Sequence, residues 1–286
     1  MICWTGASAL AQGTLVVSEI LFQPRSGEAE YVELHNGSDS HVDLSAYHIV
    51  RWVGDSLGKH YPLPSYTVAP HDYVVLTKDA TSVAANYAVK YPSKMIECQL
   101  PTYPNDGGSV VLAKADGTVV EKVDYLPSMH SRLLRNKAGV ALERRDMGLP
   151  CDEPSNWFSA SSVAGYGTPG YENSQSTEWL AEETAFVLSS SLISPDGDGY
   201  QDEITLSYQL GDSYLYANVD LYDLRGNPVR HLLSNALLGT HGEWTWDGRG
   251  ENGTSLPQGR YVLYINLYDM HGTRQVIKRT ISVVRR

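Results

Sequence analysis

The sequence predicts an all-β chain made of two β-sandwich domains in tandem. Three observations predict it. Short runs rich in Val, Ile, Tyr and Thr recur along nearly the whole chain, separated by Gly, Pro, Asn and Asp clusters. Tyr is abundant, 19 against 3 Phe, as suits half-buried strands with the ring inward and the hydroxyl outward. The 286 residues hold two domains, at about 100–150 residues each.

The elements follow in order. Leu15–Phe22 is a β-branched and aromatic run ended by Pro24 and Gly27. Glu30–His35 alternates, with Val32 and Leu34 on one face and Glu33 and His35 on the other. Asn36-Gly37-Ser38-Asp39 turns the chain. Strand character returns at Val42, at Leu44, from Tyr47 to Val53, at Tyr73–Leu76 and at Val110–Leu112. Asp116-Gly117 joins Val110–Leu112 to Val119–Val123 as a hairpin. One short helix is expected around Thr81–Ala88. Residues 127–175 lose the rhythm and read as an irregular flap anchored by Trp157 and Phe158. Residues 176–185, polar and acidic, read as the linker. From 186 strands resume at Ile204–Leu210, Asn218–Leu224, Trp244–Trp246, Tyr261–Tyr268 and Gln275–Val284. Val219–Gly226 and Ile265–Gly272 echo each other, as two strands running into Gly turns.

Composition narrows the function. Hydrophobic residues are 42% and charged residues 19%, a globular balance. No apolar run approaches the ~20 residues of a membrane helix, so no bilayer span is expected. Residues 12–175 carry 13 Lys+Arg against 19 Asp+Glu, and residues 176–286 carry 9 against 14. Two acidic halves without a basic stripe argue against nucleic acid as a partner. Ala9-Leu10-Ala11 is a small-x-small sequence of the kind signal peptidase cuts, which makes residues 1–11 the remnant of a signal peptide and Gln12 the new N-terminus. An ordinary chain terminus is the alternative. Removal of residues 1–11 takes Cys3 and leaves Cys98 and Cys151, either as a disulfide in an oxidising compartment or as two buried thiols.

The segments of 14–174 resemble the lamin tail domain of bacterial secreted proteins. The residues that carry it are Val17–Leu21, Glu30–Asn36, Val42–Ser45, Val68–Leu76, Asp106–Leu112, Asp116–Val120 and Val123–Tyr125. Leu142–Arg145, Asn156-Trp157 and Gly167-Thr168-Pro169-Gly170 with Asn173 match the tail that follows such domains. The second domain resembles the Ig-like domain of the flagellar hook-capping family and the C-terminal domains of exported Bacteroidetes proteins. That resemblance rests on Ser194–Gly199 with Asp202, Val219–Asp223, Gly226–Arg230, Trp246–Gly248 and Leu256–Tyr261. The basic end, Lys278–Arg286, is similar to the last strand of a type IX secretion sorting domain of the gliding-associated kind, although that kind has Asn where this chain has Asp196. Together the resemblances imply two Ig-like β-sandwiches, export to the bacterial surface, no catalytic centre, and a protein or glycan of the cell envelope as partner. The resulting expectation is a non-catalytic interaction or display module. The alternatives are an accessory part of an exported nuclease or phosphatase-type hydrolase, or an assembly subunit of a surface apparatus.

One segment has the composition of a metal site. Asp196, Asp198 and Asp202 occupy positions 1, 3 and 7 of a loop bent by Gly197 and Gly199, and with the Tyr200 carbonyl they offer hard oxygens to Ca²⁺. The same residues also suit an acidic turn closed by Asp-to-backbone hydrogen bonds. Trp244 and Trp246 read as core residues and Asp247 as a turn brace. Glu19, Glu30, Glu33 and His35 are the only acid–base grouping that suggests itself, and alternation places Glu33 and His35 on a solvated face.

Overall fold

The computed structural model describes residues 15–181, 183–211 and 216–285. The 1–11 segment with its cleavage sequence lies outside the described residues. The fold is all-β, with two sandwich-forming sets of sheets and, among the described residues, one short α-helix, Ala80–Asn86. It divides into two compact units: one holds the chain to Ala160 plus Tyr166–Asn173, the other Ser161–Gly165 plus Ser174 onward. No helix among the described residues is long and apolar enough to cross a membrane.

In the first unit, a six-stranded sheet runs in the order Trp157–Ser159, Leu142–Arg144, Leu15–Leu21, Tyr31–Asn36, Tyr73–Thr77, Met95–Glu97. A four-stranded sheet runs Val119–Tyr125, Gly108–Lys114, Tyr47–Val53, Ser56–Pro62. Val17, Ile20, Val32, Leu34, Ile49, Val110, Leu112, Val123 and Trp157 fill the core between them. The six-stranded sheet is covered on its other face too: Leu21, Tyr31 and Val75 pack with Val83 and Tyr87, on and just after the helix. That explains why Leu15–Phe22 is apolar almost throughout, since a strand buried on both faces has no solvent side to make polar. The Asp116-Gly117 turn closes as expected, with Gly117 at φ 88 and Asp116 accepting the Thr118 N–H at 2.9 Å.

The expected flap is partly sheet. Leu142–Arg144 and Trp157–Ser159 add two strands beside Leu15–Leu21, each too short for its alternation to register in a window. Trp157 is buried in the core as an anchor. Cys98 and Cys151 stand as free thiols at the edge of that core, not as a disulfide.

In the second unit, Ala185–Leu188, Ile204–Gln209 and His241–Trp246 form one sheet. Leu192–Ile193, Arg274–Val283, Gly259–Tyr268, Tyr216–Asp223 and Pro228–Leu237 form the other. Phe186, Leu206, Val219, Leu221, Leu263, Ile265 and Trp246 share the core, with Trp244 against it. The echoing segments are neighbours, Val219 opposite Ile265, and both end alike. Asp223 accepts from Arg225 and Asn227 N–H, and Asp269 from His271 and Thr273 N–H.

Ser176 and Ala181, in the segment read from composition as a linker, bond within this unit. Thr240 Oγ1 donates to the Ser176 carbonyl at 2.7 Å, and the Ala181 N–H donates to Leu210 O at 3.1 Å. The close approach depends on Gly239, where a Cβ would stand 2.2 Å from Ser174 O. Composition registers polarity and misses this backbone pairing. Pro228–Leu237 is a strand that its weak alternation concealed.

Candidate functional site

Two groups of three carboxylates stand out, one in each unit. The first is inside. Glu19, Glu33 and Glu143 sit on three adjacent strands, Glu19 opposite both Glu143 and Glu33, and all three are fully buried. A β-bulge between Val17 and Glu19 shifts the register here. The expectation of a solvated face is therefore corrected for Glu33, which is fully buried, and for His35, which is half-buried. Alternation put Glu33 opposite the core correctly, but that opposite face is roofed by Tyr166–Asn173, which no local pattern reveals.

This roof is fastened by the carboxylates themselves. The Thr168 N–H donates to Glu19 Oε1 at 3.0 Å, and Thr168 Oγ1 donates to Glu143 Oε1 at 3.0 Å. The Gly170 N–H donates to Glu33 Oε2 at 2.7 Å. From below, Tyr31 Oη donates to Glu19 at 2.8 Å and Ser18 Oγ to Glu33 at 2.7 Å. Asn173 Nδ2 ties the far end to the carbonyls of Ser18 and Arg144. Gly167 lies so close that a Cβ would be 2.5 Å from Tyr31 Oη. Burial, reinforced by Glu143, pushes the Glu19 carboxyl up to about 8. Burial, and then Glu19, pushes Glu33 well above the usual range. Neighbouring carboxyl groups removed from water keep protons that exposed ones would release. His35 shares the face; burial, with His71 next, pushes it down to about 4. Glu30 is half-buried and also raised by burial.

A buried ion pair crosses between the two sheets of this unit. Arg144 Nη1 donates to Glu121 Oε1 at 2.7 Å, and Glu121 Oε2 accepts the Val17 N–H at 2.7 Å. Arg144 also donates to the Leu149 carbonyl at 2.6 Å. Glu143, Arg144 and Thr168 lay in segments that the resemblance marked, but their buried roles, and that of Glu121, were not read from the sequence. The available signal was a charged residue inside an apolar run, as Glu19 is within Leu15–Phe22.

The second group is outside. Asp196, Asp198 and Asp202 bring carboxylate oxygens within 4.8 Å of one another, as the spacing predicted. Asp196 and Asp198 are exposed and Asp202 is half-buried. The loop is organised around Asp202, whose two oxygens accept the Gly197 and Gly199 N–H at 2.7 Å each. Asp198 accepts the Tyr200 N–H at 2.8 Å, and Ser194 Oγ donates to Asp196 at 3.0 Å. Gly197, Gly199 and Gln201 take φ of 82, 84 and 57, and this left-handed sequence turns the three carboxylates to one side. The donor set fits a hard cation: three carboxylates, converged and open to solvent. Tyr200 joins the loop through its N–H, with its ring exposed. Trp246 is buried and Asp247 accepts the Arg249 N–H, so that pair braces a turn as expected.

Residues 8–127 match the family model of the Lamin Tail Domain. Over these residues the chain is similar to the lamin tail domain family. The buried carboxylates Glu19 and Glu33 lie within the matched lamin tail residues, whereas Glu143 and the Tyr166–Asn173 roof lie beyond them. No curated protein matches the chain. Among solved structures, FlgD of P. aeruginosa is similar over 36% of this chain and 69% of its own, at 18% identity and a TM-score of 0.25. PorU of Porphyromonas gingivalis is matched over 100% of this chain and 21% of its own, at 11% identity and a TM-score of 0.29. PorZ of the same organism is matched over 98% and 40%, at 12% identity and a TM-score of 0.27. Similarity this distant carries no argument about function.

Proposed function

We propose that this protein, similar to the lamin tail domain over residues 8–127, is an exported, non-catalytic module that binds or displays a partner at the bacterial cell surface, with a calcium-ordered loop on its second unit. The observation that supports it is the contrast in how carboxylates are used. Those of the first unit are spent on holding a roof in place, with their oxygens taken by Thr168, Gly170, Ser18 and Tyr31. Those of the second unit face solvent, where oxygen donors and an exposed Tyr200 ring form a presentable surface. Ca²⁺ is the cation this donor set selects, since it takes several oxygens in irregular geometry. A protein or glycan of the envelope is the partner class proposed for such a loop.

Protease treatment of intact cells, followed by detection of the protein, tests the location. Loss of the protein from intact cells, or its recovery in the medium, is expected. Full protection inside intact cells, with release only on lysis, overturns it. The non-catalytic reading fails if purified protein turns over nucleic acid or phosphoesters and a point substitution in this chain abolishes that turnover.

A further inference from the structure

The outer face of the four-stranded sheet carries a pair of imidazoles that neither acidic group involves. His48 lies on Tyr47–Val53 and His60 on Ser56–Pro62, the two strands of one hairpin. In register His48 faces Pro62 and Val50 faces His60, so the histidines are diagonal neighbours on the same face. Their floor is apolar and fixed: Val50, Val111 and Ala113 are fully buried beneath this face, with Trp52 and Leu57 packed against them. Both rings are half-buried, standing on this floor with solvent beyond.

The rings present the same atom to each other. His48 Nδ1 and His60 Nδ1 are 3.3 Å apart, with ring centroids 5.5 Å apart and planes at 86°. Two nitrogens bound to one tetrahedral Zn²⁺ at ~2.0–2.1 Å stand ~3.3–3.4 Å apart by simple trigonometry. The same separation also admits an N–H···N hydrogen bond, which requires the rings to take opposite tautomers. In the tautomers that turn both Nδ1 lone pairs toward each other, the pair can chelate one cation. The hairpin register brings the two rings together at a spacing that also suits a metal.

The geometry points to an open transition-metal site, in which His48 Nδ1 and His60 Nδ1 chelate one borderline divalent cation such as Zn²⁺. Imidazole nitrogen selects this class over Ca²⁺, so the site is chemically distinct from the aspartate loop. Two protein ligands leave two tetrahedral positions, which the outward side of the sheet leaves to water or to a donor from another molecule.

Zinc titration of the full chain by calorimetry tests this, in buffer with excess Ca²⁺ to occupy the aspartates. One Zn²⁺ per chain is expected, with at least tenfold weaker binding in either His48→Gln or His60→Gln. Binding is expected to be unchanged in His71→Gln and Asp198→Ala, which control for other histidines and for the acidic loop. Affinity should fall on acidification, because protons compete for the same nitrogens. Circular dichroism of each variant confirms folding, and Co²⁺ substitution in the unaltered chain gives an independent readout through its tetrahedral visible absorption. No zinc uptake at millimolar metal, or uptake that survives both Gln substitutions together, overturns the site and leaves a hydrogen-bonded histidine pair.

Discussion

Glu19, Glu33 and Glu143 in the first unit, and Asp196, Asp198 and Asp202 in the second, are each a meeting of three carboxylates, solved in opposite ways. The glutamates are fully buried on adjacent strands, where charge is costly, and the answer is donors from a covering segment, with the Glu19 and Glu33 carboxyls raised by burial. The aspartates sit on an open loop, Asp202 half-buried and the other two exposed, and the answer is backbone N–H groups within the loop and room for a cation. Glu is long enough to reach from a strand to a roof. Asp is short enough to bond the backbone two or three residues away. The difference teaches that an acidic cluster is defined by what stands over it, and each unit should answer to a different titrant: protons for the first, calcium for the second.

Removing the roof is the strongest way to break the comparison. Gly167→Val places side-chain atoms where Tyr31 Oη and the Tyr87 ring already lie. The expected result is a loss of about 2–4 kcal/mol, the range for forced rearrangement with buried polar groups left unpaired. Denaturant unfolding measures it, and hydrogen exchange should place the loss in the first unit. A neutral Gly167→Val would mean that the roof contributes little to holding these glutamates.

The pH response comes next. Glu19 and Glu33 have folded values raised above an ordinary Glu, so the folded chain keeps protons that the unfolded chain releases. Their favourable linkage is fully present below the unfolded value near 4.5 and is lost as pH rises through about 8 for Glu19. First-unit stability, followed by hydrogen exchange, should therefore fall between about pH 5 and 9, by an amount on the order of 1–3 kcal/mol. Glu33→Gln removes a titrating group while keeping an acceptor for Gly170 N–H, and should flatten the slope. A wild-type slope equal to that of Glu33→Gln would show that Glu33 does not set it.

What the sequence made legible follows the same division. The aspartate loop is local: Asp196, Asp198 and Asp202 lie within seven residues, and spacing alone brought them together. The strands of both cores were legible wherever alternation or apolar runs were long. The glutamate cluster is non-local. Thr168 lies 149 residues from Glu19, so nothing near Glu19 announces its donor. Alternation told which face Glu33 takes, but whether water or protein covers that face is a tertiary fact. The short strands Leu142–Arg144 and Trp157–Ser159 were hidden for the same reason, because three residues carry too little period to read.

Calcium should act on the second unit alone. Millimolar Ca²⁺ is the range to test, because extracellular sites often have Kd of about 10⁻⁴–10⁻³ M. A hundredfold excess over Kd adds roughly 2.7 kcal/mol of stability, and tenfold adds about half that. Melting should rise with Ca²⁺ and fall back with chelator, and Asp198→Ala should abolish the difference. A melting temperature that ignores calcium returns the loop to an acidic turn.

The smallest expected effect separates the loop's own architecture from its ion. Asp202 has two jobs: its oxygens hold the Gly197 and Gly199 N–H groups at 2.7 Å, and it lends charge to any cation. Asp202→Asn keeps size but leaves one acceptor oxygen where there were two, and an NH₂ that faces a donor. Without calcium it should cost about 0.5–1.5 kcal/mol, the net worth of one hydrogen bond. Asp198→Ala should cost less under the same conditions, since its carboxylate holds one exposed N–H, that of Tyr200. With calcium, both should lose the ion-dependent gain. The order of the two variants in chelator, read from urea midpoints, is therefore the deciding measurement. If Asp198→Ala proves the more damaging without calcium, Asp202 is not the centre around which the loop is built.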